Sequence, residues 1–141
     1  MTMTSLVHGL GIAGVSTVRA MQRLGHRVLV TDDAIDDAKV LEAARLGVEI
    51  ESLPGDLDNF IRSFDIVSPA PGVPEGHPLI AAAIAADRHV ASEIELAWMW
   101  EQQRPGGARP MIAVTGTDGK TTTVSMVASM AARVSGLMLC P

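Results

Sequence analysis

The stretch that decides the fold is Ser5-Leu6-Val7-His8-Gly9-Leu10-Gly11-Ile12-Ala13-Gly14, an apolar run followed at once by Gly-x-Gly-x-x-Gly. The apolar run, residues 5–8, predicts a buried strand that ends on His8, which we expect to be packed and not catalytic. Apolar residues then recur at helical spacing over residues 15–24, which predicts a helix. A strand, a glycine turn and a helix in this order begin an α/β fold.

An acidic pair follows the next predicted strand, residues 27–31. Asp32 and Asp33 come about twenty residues after the glycines, the spacing of a dinucleotide-binding βαβ unit. This order predicts a nucleotide-like ligand over the helix N-terminus. A tight strand-to-helix turn that holds no ligand remains the alternative.

The alternation continues toward the C-terminus and predicts an α/β fold, a Rossmann-like parallel sheet with helices on both faces. The further predicted strands are 48–50, 64–67 and 88–91, and the further predicted helices are 38–46, 57–62, 78–86 and 93–103. Asp56 is expected to cap the short helix. The proline-rich loop 68–74 follows the fourth strand, where open α/β sheets bind ligands, and Gly72 leaves room for one. A rigid connector is the other interpretation of this loop.

A change of composition after residue 103 predicts a domain boundary. Residues 104–110 contain two prolines and two glycines, which is typical of a linker. We therefore expect a Rossmann-like domain at 1–103, a linker at 104–110, and the start of a second domain at 111–141.

A second glycine pattern, Ala113-Val114-Thr115-Gly116-Thr117-Asp118-Gly119-Lys120-Thr121-Thr122-Thr123, opens that second part. A strand at 111–115 and a helix at 121–133 are expected on either side of it. Glycines allow backbone N–H groups to approach phosphate, Lys120 adds a positive charge, and the Thr121 hydroxyl can ligate Mg²⁺. An ordinary turn with an exposed lysine remains possible, because Val114 stands where the general pattern has its first glycine.

Composition excludes several classes of function. The chain has 141 residues and a formal net charge of −5 without a basic run, which argues against nucleic acid as a partner. Charges interrupt every apolar segment, so no membrane insertion is expected. The single cysteine, Cys140, fits a reducing cytoplasm.

Four segments carry a resemblance to a known family. The block Val114–Thr123 resembles the ATP loop of the Mur ligases. The segments Gly9–Gly14, Ala70–Val73 and Ser92–Leu96 resemble the branch of that family that adds D-glutamate. The resemblance covers the whole chain except its last few residues.

The resemblance implies a cytoplasmic, three-domain enzyme of peptidoglycan synthesis that acts as a monomer and uses ATP and Mg²⁺. Such an enzyme phosphorylates the carboxylate of UDP-N-acetylmuramoyl-L-alanine, and the amine of D-glutamate then attacks the acyl phosphate to form an amide. The implied ATP-binding residues are Gly116, Thr117, Asp118, Gly119, Lys120, Thr121 and Thr122, with Lys120 catalytic and Thr121 a metal ligand. The implied UDP-substrate-binding residues are Gly11, Ile12, Ala13, Asp32, Asp33 and Gly72.

Other functional interpretations stay open at this point. They are another branch of the family (MurC-like), a stand-alone UDP-sugar-binding module, and a nicotinamide-dependent oxidoreductase suggested by the glycines and Asp32. The lysine-containing loop disfavours the last of these. The family's remaining catalytic residues would follow residue 141, so we expect these 141 residues alone to have no ligase activity and at most weak ATP binding.

Overall fold

Five parallel strands form one sheet in the order β3-β2-β1-β4-β5 within the part of the chain that the structure, a computed structural model, describes: residues 2–135. The strands are β1 Thr4–His8, β2 Arg27–Thr31, β3 Glu49–Glu51, β4 Ile66–Pro69 and β5 His89–Val90. All four pairings are parallel, and β1 lies at the centre between β2 and β4. The predicted parallel sheet is confirmed.

Helices cover both faces of this sheet, as predicted. They are α1 Ile12–Arg23, α2 Asp37–Leu46, α3 Leu57–Ile61, α4 Pro78–Ala85 and α5 Glu93–Gln102, and α6 Lys120–Ser135 follows in the second part of the chain. Successive residues of β1 point to opposite faces of the sheet. Val7 packs in a cluster with buried residues of α1, α2 and α5, whereas Leu6 packs in a second cluster with α3 and α4.

Local signals set several helix ends. The Asp56 side chain accepts a hydrogen bond from the Asn59 N–H at 3.1 Å, so it caps α3 as predicted. Gly47 ends α2 with φ +67°, a left-handed conformation that favours glycine. Helix α1 begins at Ile12, three residues before its predicted start. Gly14 therefore lies inside the helix and not in the turn before it.

Strand β4 begins two residues later than predicted. Phe64 belongs to the turn that ends α3, where its N–H donates to the Ile61 carbonyl at 3.2 Å. Its ring is buried and meets Phe60 edge-on at 5.1 Å between ring centroids. Phe64 therefore packs its ring into the core from a turn and not from a strand.

The strand predicted at 111–115 is absent from the structure, so this prediction is wrong. The segment has no regular secondary structure, and Met111 and Ile112 are 53% and 75% exposed. A strand exists only when its backbone pairs with a neighbour, and no described residue pairs with this segment. The helix after it does form, because its hydrogen bonds are local.

The chain divides into two compact units, 1–105 and 106–141. The separate roles expected for domains at 1–103 and 111–141 remain a prediction. Among the described residues, no helix has the length and apolar character needed to cross a membrane.

The division leads to a proteolysis prediction. Residues 104–110 are all exposed, so a protease should cut there first and leave the sheet-containing unit intact. Trypsin is unsuitable because Arg104 and Arg109 both precede proline, and an elastase-type enzyme acting near Ala108 is the better choice. Mass spectrometry should identify the first cut, and a first cut between residues 28 and 67 would contradict the division.

Candidate functional site

Three loops meet at the carboxyl end of the sheet, and we call residues 9–14, 32–34 and 70–77 together the carboxyl rim. The Gly9 N–H donates to the Thr31 carbonyl at 2.7 Å, which ties the first loop to the end of β2. The Ala70 N–H donates to the His8 carbonyl at 2.8 Å, which ties the third loop to the end of β1. The structure thus brings the predicted UDP-substrate residues to one edge of the sheet.

Two glycines of the first loop are required by space and conformation. Gly9 has φ +97°, and a Cβ there would lie 2.9 Å from the Ala70 Cβ. A Cβ on Gly14 would overlap the carbonyl oxygen of Gly9. Because neither glycine has a side chain, α1 can start directly above the end of β1.

Gly11 and Gly72 are different, because both face open space. A Cβ on either residue would have no atom within 4 Å, and Gly11 has an ordinary φ of −89°. Neither residue is needed as glycine for packing or conformation. The open space beside them is available to a ligand.

Helix α1 begins without a side-chain cap. Gly11 is the N-cap residue and has no side chain to offer, and the first turn contains no acidic residue. Ile12 is 93% exposed beside it. The first amide groups of α1 therefore present donors and the positive end of the helix dipole to solvent, an arrangement that suits an anion.

Asp32 is almost buried and holds the rim together. Its Oδ2 accepts from the Leu10 N–H at 2.8 Å, and its Oδ1 accepts from the Ala34 N–H at 2.9 Å and from Lys39 Nζ at 2.7 Å. Burial opposes ionisation, but the hydrogen bonds from Lys39, Leu10 and Ala34 outweigh it and lower the pKa of Asp32. Asp32 is thus an ionised carboxylate whose bonds are made within the protein.

Asp33 faces the opposite way, with 62% of its side chain exposed. Its Oδ2 lies 3.1 Å from His77 Nε2 and 3.5 Å from His8 Nε2, and the two histidine rings lie 4.7 Å apart. His8 is buried, as expected, and its Nδ1 makes a 2.9 Å hydrogen bond with Thr31 Oγ1. Burial lowers the pKa of His8, with Asp33 acting in the opposite direction.

The 116–122 loop belongs to the second unit and has its own geometry. Gly116 and Gly119 have φ values of +148° and +76°, and α6 starts at Lys120. Lys120 Nζ donates to the carbonyl oxygens of Gly116 and Thr117 at 2.6 and 3.0 Å. The ammonium group thus lies against the loop, and the hydroxyl-bearing Thr121 and Thr122 stand in the first turn of α6.

Comparison with known proteins is informative over most of the chain. Residues 3–92 match the family model described as Mur ligase MurD-like, N-terminal domain. This chain belongs to the MurD-like Mur ligases. The expected resemblance to the Mur ligase family is confirmed.

Two relatives of this Mur ligase chain show how much of a related protein it covers, and both are named UDP-N-acetylmuramoylalanine–D-glutamate ligase. The protein from Streptomyces avermitilis is 38% identical over 127 residues, and the alignment covers 88% of this chain. The protein from Frankia casuarinae is 41% identical over 131 residues, covering 90% of this chain. In both cases only 26% of the relative is covered, so the chain spans about a quarter of the length of these relatives.

A solved structure shares the Mur ligase fold. The crystal structure of a murein peptide ligase from Psychrobacter arcticus matches with a TM-score of 0.63 and 25% identity. The match covers 95% of this chain and 27% of that one.

Sequence reasoning missed two residues whose side chains contact the carboxyl rim: Lys39 in α2 and His77 within the rim itself. Lys39 is not part of any pattern in the sequence, although it is the side-chain partner of Asp32. His77 was missed because it precedes Pro78 in a loop, with no periodic pattern around it. One signal was available in the sequence: His77 stands before a proline at a helix start, a position that suits an N-cap residue. In the structure, its Nδ1 does accept a hydrogen bond from the Leu79 N–H at 3.2 Å.

Substituting the glycines one at a time tests the rim geometry. Gly14→Ala should destabilise the fold by about 1–3 kcal/mol, because the new methyl group overlaps the Gly9 carbonyl. Gly11→Ala is the matched control and should cost less than about 1 kcal/mol, since it faces open space at an N-cap. Urea unfolding followed by circular dichroism measures both, and equal losses would contradict the close approach at Gly14.

Proposed function

We propose that this chain is the N-terminal part of a cytoplasmic, monomeric, ATP-dependent ligase that joins D-glutamate to UDP-N-acetylmuramoyl-L-alanine in peptidoglycan synthesis. The sheet unit binds the UDP part of the substrate, and the 116–122 loop belongs to the ATP-binding domain. The observation that carries the proposal is the uncapped N-terminus of α1 beside the open Gly11, on the carboxyl rim of a MurD-like chain.

The chemistry of the rim suits a uridine diphosphate group. Backbone N–H groups at the start of α1 can donate to phosphate oxygens without a competing carboxylate in the first turn. Gly11 allows the ligand to approach the backbone, and the exposed Ile12 with Ala13 offers an apolar surface for a flat base. Gly72 leaves similar space on the opposite loop.

The two residues of the acidic pair have different roles: Asp32 supports the structure, and Asp33 is available to the ligand. Asp32 uses about three of its four acceptor positions inside the protein, which leaves little for a ligand. Asp33 Oδ1 has no partner among residues 2–135 and is open to a donor such as a uracil N–H. A nicotinamide dinucleotide needs an acid after the second strand for its ribose hydroxyls. The internal bonds of Asp32 therefore favour the uridine ligand over the dinucleotide.

The 116–122 loop fits the phosphates of ATP with Mg²⁺. Its two glycines hold conformations that suit a phosphate-binding turn, and the helix N-terminus starts at the lysine itself. Lys120 can exchange its bonds to two loop carbonyls for bonds to phosphate oxygens, and Thr121 can offer its hydroxyl to the metal. Bound MgATP supplies the phosphoryl group that activates a carboxylate, while these residues orient it and offset its charge.

Calorimetry with UDP-N-acetylmuramoyl-L-alanine, UDP and NAD tests the ligand. We expect binding of the substrate, weaker binding of UDP, and no binding of NAD. Gly11→Val should weaken UDP-substrate affinity by about tenfold or more, or about 1.4 kcal/mol, because its side chain fills the space beside the helix N-terminus.

Gly55→Val, the same replacement at a glycine outside the carboxyl rim that also faces open space and has no left-handed φ, is a suitable comparison for general effects of glycine replacement. If the Gly11→Val variant unfolds at the same midpoint as the parent chain, its loss of affinity is an effect on the ligand and not on the fold. Tight NAD binding, or no UDP-substrate binding by the folded chain, would overturn the proposal.

Nuclear magnetic resonance tests the ATP assignment at weak affinity. Titration with MgATP should shift the amide signals of residues 116–122, and Lys120→Ala should abolish the shifts because the positive charge is lost. Ser129→Ala, more than two helical turns beyond Lys120 in α6, should leave them unchanged. Equal shifts in the Lys120→Ala variant would contradict a phosphate-binding role for this loop.

A further inference from the structure

Three side chains with metal-binding atoms converge on the carboxyl rim. They come from three places in the fold: His8 ends β1, Asp33 follows β2, and His77 precedes α4. His8 Nε2, an Asp33 carboxylate oxygen and a His77 ring nitrogen all lie within 4.8 Å of one another. Within residues 2–135, these three form the one group of histidine and carboxylate side chains placed closely enough to share a metal ion.

The separations match the ligand shell of a small metal ion. A tetrahedral zinc ion with bonds of about 2.0–2.1 Å places its donor atoms about 3.4 Å apart. Asp33 Oδ2 lies 3.5 Å from His8 Nε2 and 3.1 Å from His77 Nε2. A single ion can reach all three donors with small adjustments, and the exposed side of Asp33 leaves access for a water as fourth ligand.

A supporting contact orients the buried ligand. Metal-binding histidines usually donate their second ring N–H to a nearby acceptor, which fixes the tautomer. His8 Nδ1 lies 2.9 Å from Thr31 Oγ1, and both residues are buried. With the proton on Nδ1, the Nε2 lone pair of His8 points toward Asp33.

We propose that His8, Asp33 and His77 form a binding site for one divalent transition-metal ion, of which Zn²⁺ fits best. Two imidazoles and one carboxylate favour zinc, nickel or cobalt over magnesium and calcium, which prefer oxygen ligands. The site shares no residue with the 116–122 loop that we propose for ATP and Mg²⁺, and it does not depend on the proposed ligase function.

Binding has a local consequence at α4. His77 Nδ1 accepts the Leu79 N–H, so its proton lies on Nε2 and points to Asp33. An ion at Nε2 moves this proton to Nδ1 and releases the Leu79 N–H. Since Pro78 has no N–H, only one capping bond is lost, and the metal competes with a single hydrogen bond of 3.2 Å.

The test uses the metal alone, without nucleotide, on the 141-residue chain carrying Cys140→Ser, because a thiolate would bind zinc by itself. Calorimetry with Zn²⁺ should give one equivalent at micromolar metal, and Co²⁺ should produce the visible absorption of a tetrahedral site. Asp33→Ala and His77→Asn should each weaken binding by about tenfold or more. Asn can still cap α4, and Asp33 is exposed, so both variants should fold.

His89→Gln is the matched control, since His89 is exposed on β5 and should not affect the metal. Absence of binding at millimolar Zn²⁺, or binding that is the same in Asp33→Ala, His77→Asn and the parent chain, would overturn the site. Loss of binding in His89→Gln would also overturn it. Because no nucleotide is present, failure here is distinguishable from failure to bind the UDP substrate.

Discussion

The carboxylate of Asp32 is the interaction on which the functional end of the sheet depends. It joins the loop after β1 to the loop after β2 by accepting from the Leu10 and Ala34 N–H groups, and it pairs with Lys39. Hydrogen bonds to a charged group contribute about 1.5–3 kcal/mol each, which offsets the cost of burying the charge. Without this carboxylate, two backbone donors and an ammonium group would lose their common acceptor, and the two loops would lose their shared anchor.

The internal use of Asp32 determines what remains for a ligand. The acid that dinucleotide enzymes present to a ribose is committed here to the protein, and the next residue, Asp33, is the one that turns outward. At the same time α1 has no acidic residue in its first turn and no side-chain cap. The rim therefore combines a bare helix N-terminus, which attracts an anion, with an exposed carboxylate, which accepts from a neutral donor. A uridine diphosphate carries both kinds of group.

Much of the fold could be predicted from the sequence because its signals are local. Buried runs such as Leu6-Val7 and the cap at Asp56 depend on a few adjacent residues, and these predictions are confirmed. The pairing of Lys39 with Asp32, and the meeting of His77 with Asp33 across 44 positions, depend on how the strands align. No periodicity or spacing reveals such contacts. The strand expected at 111–115 failed for the same reason, since a strand is defined by partners elsewhere in the chain, whereas a helix is not.

The two glycine loops of this chain would offer different groups to a phosphate. The loop at 9–14 has no cation of its own, so it can attract an anion only through backbone N–H groups and the dipole of α1. The 116–122 loop adds the ammonium of Lys120, already held against two loop carbonyls. Backbone donors suit a group that must be held in place without reacting. A full positive charge suits a phosphoryl group whose charge is redistributed during transfer. This difference is a physical reason for the proposed assignment of the first loop to a diphosphate that stays intact, and of the second loop to a nucleotide that is cleaved.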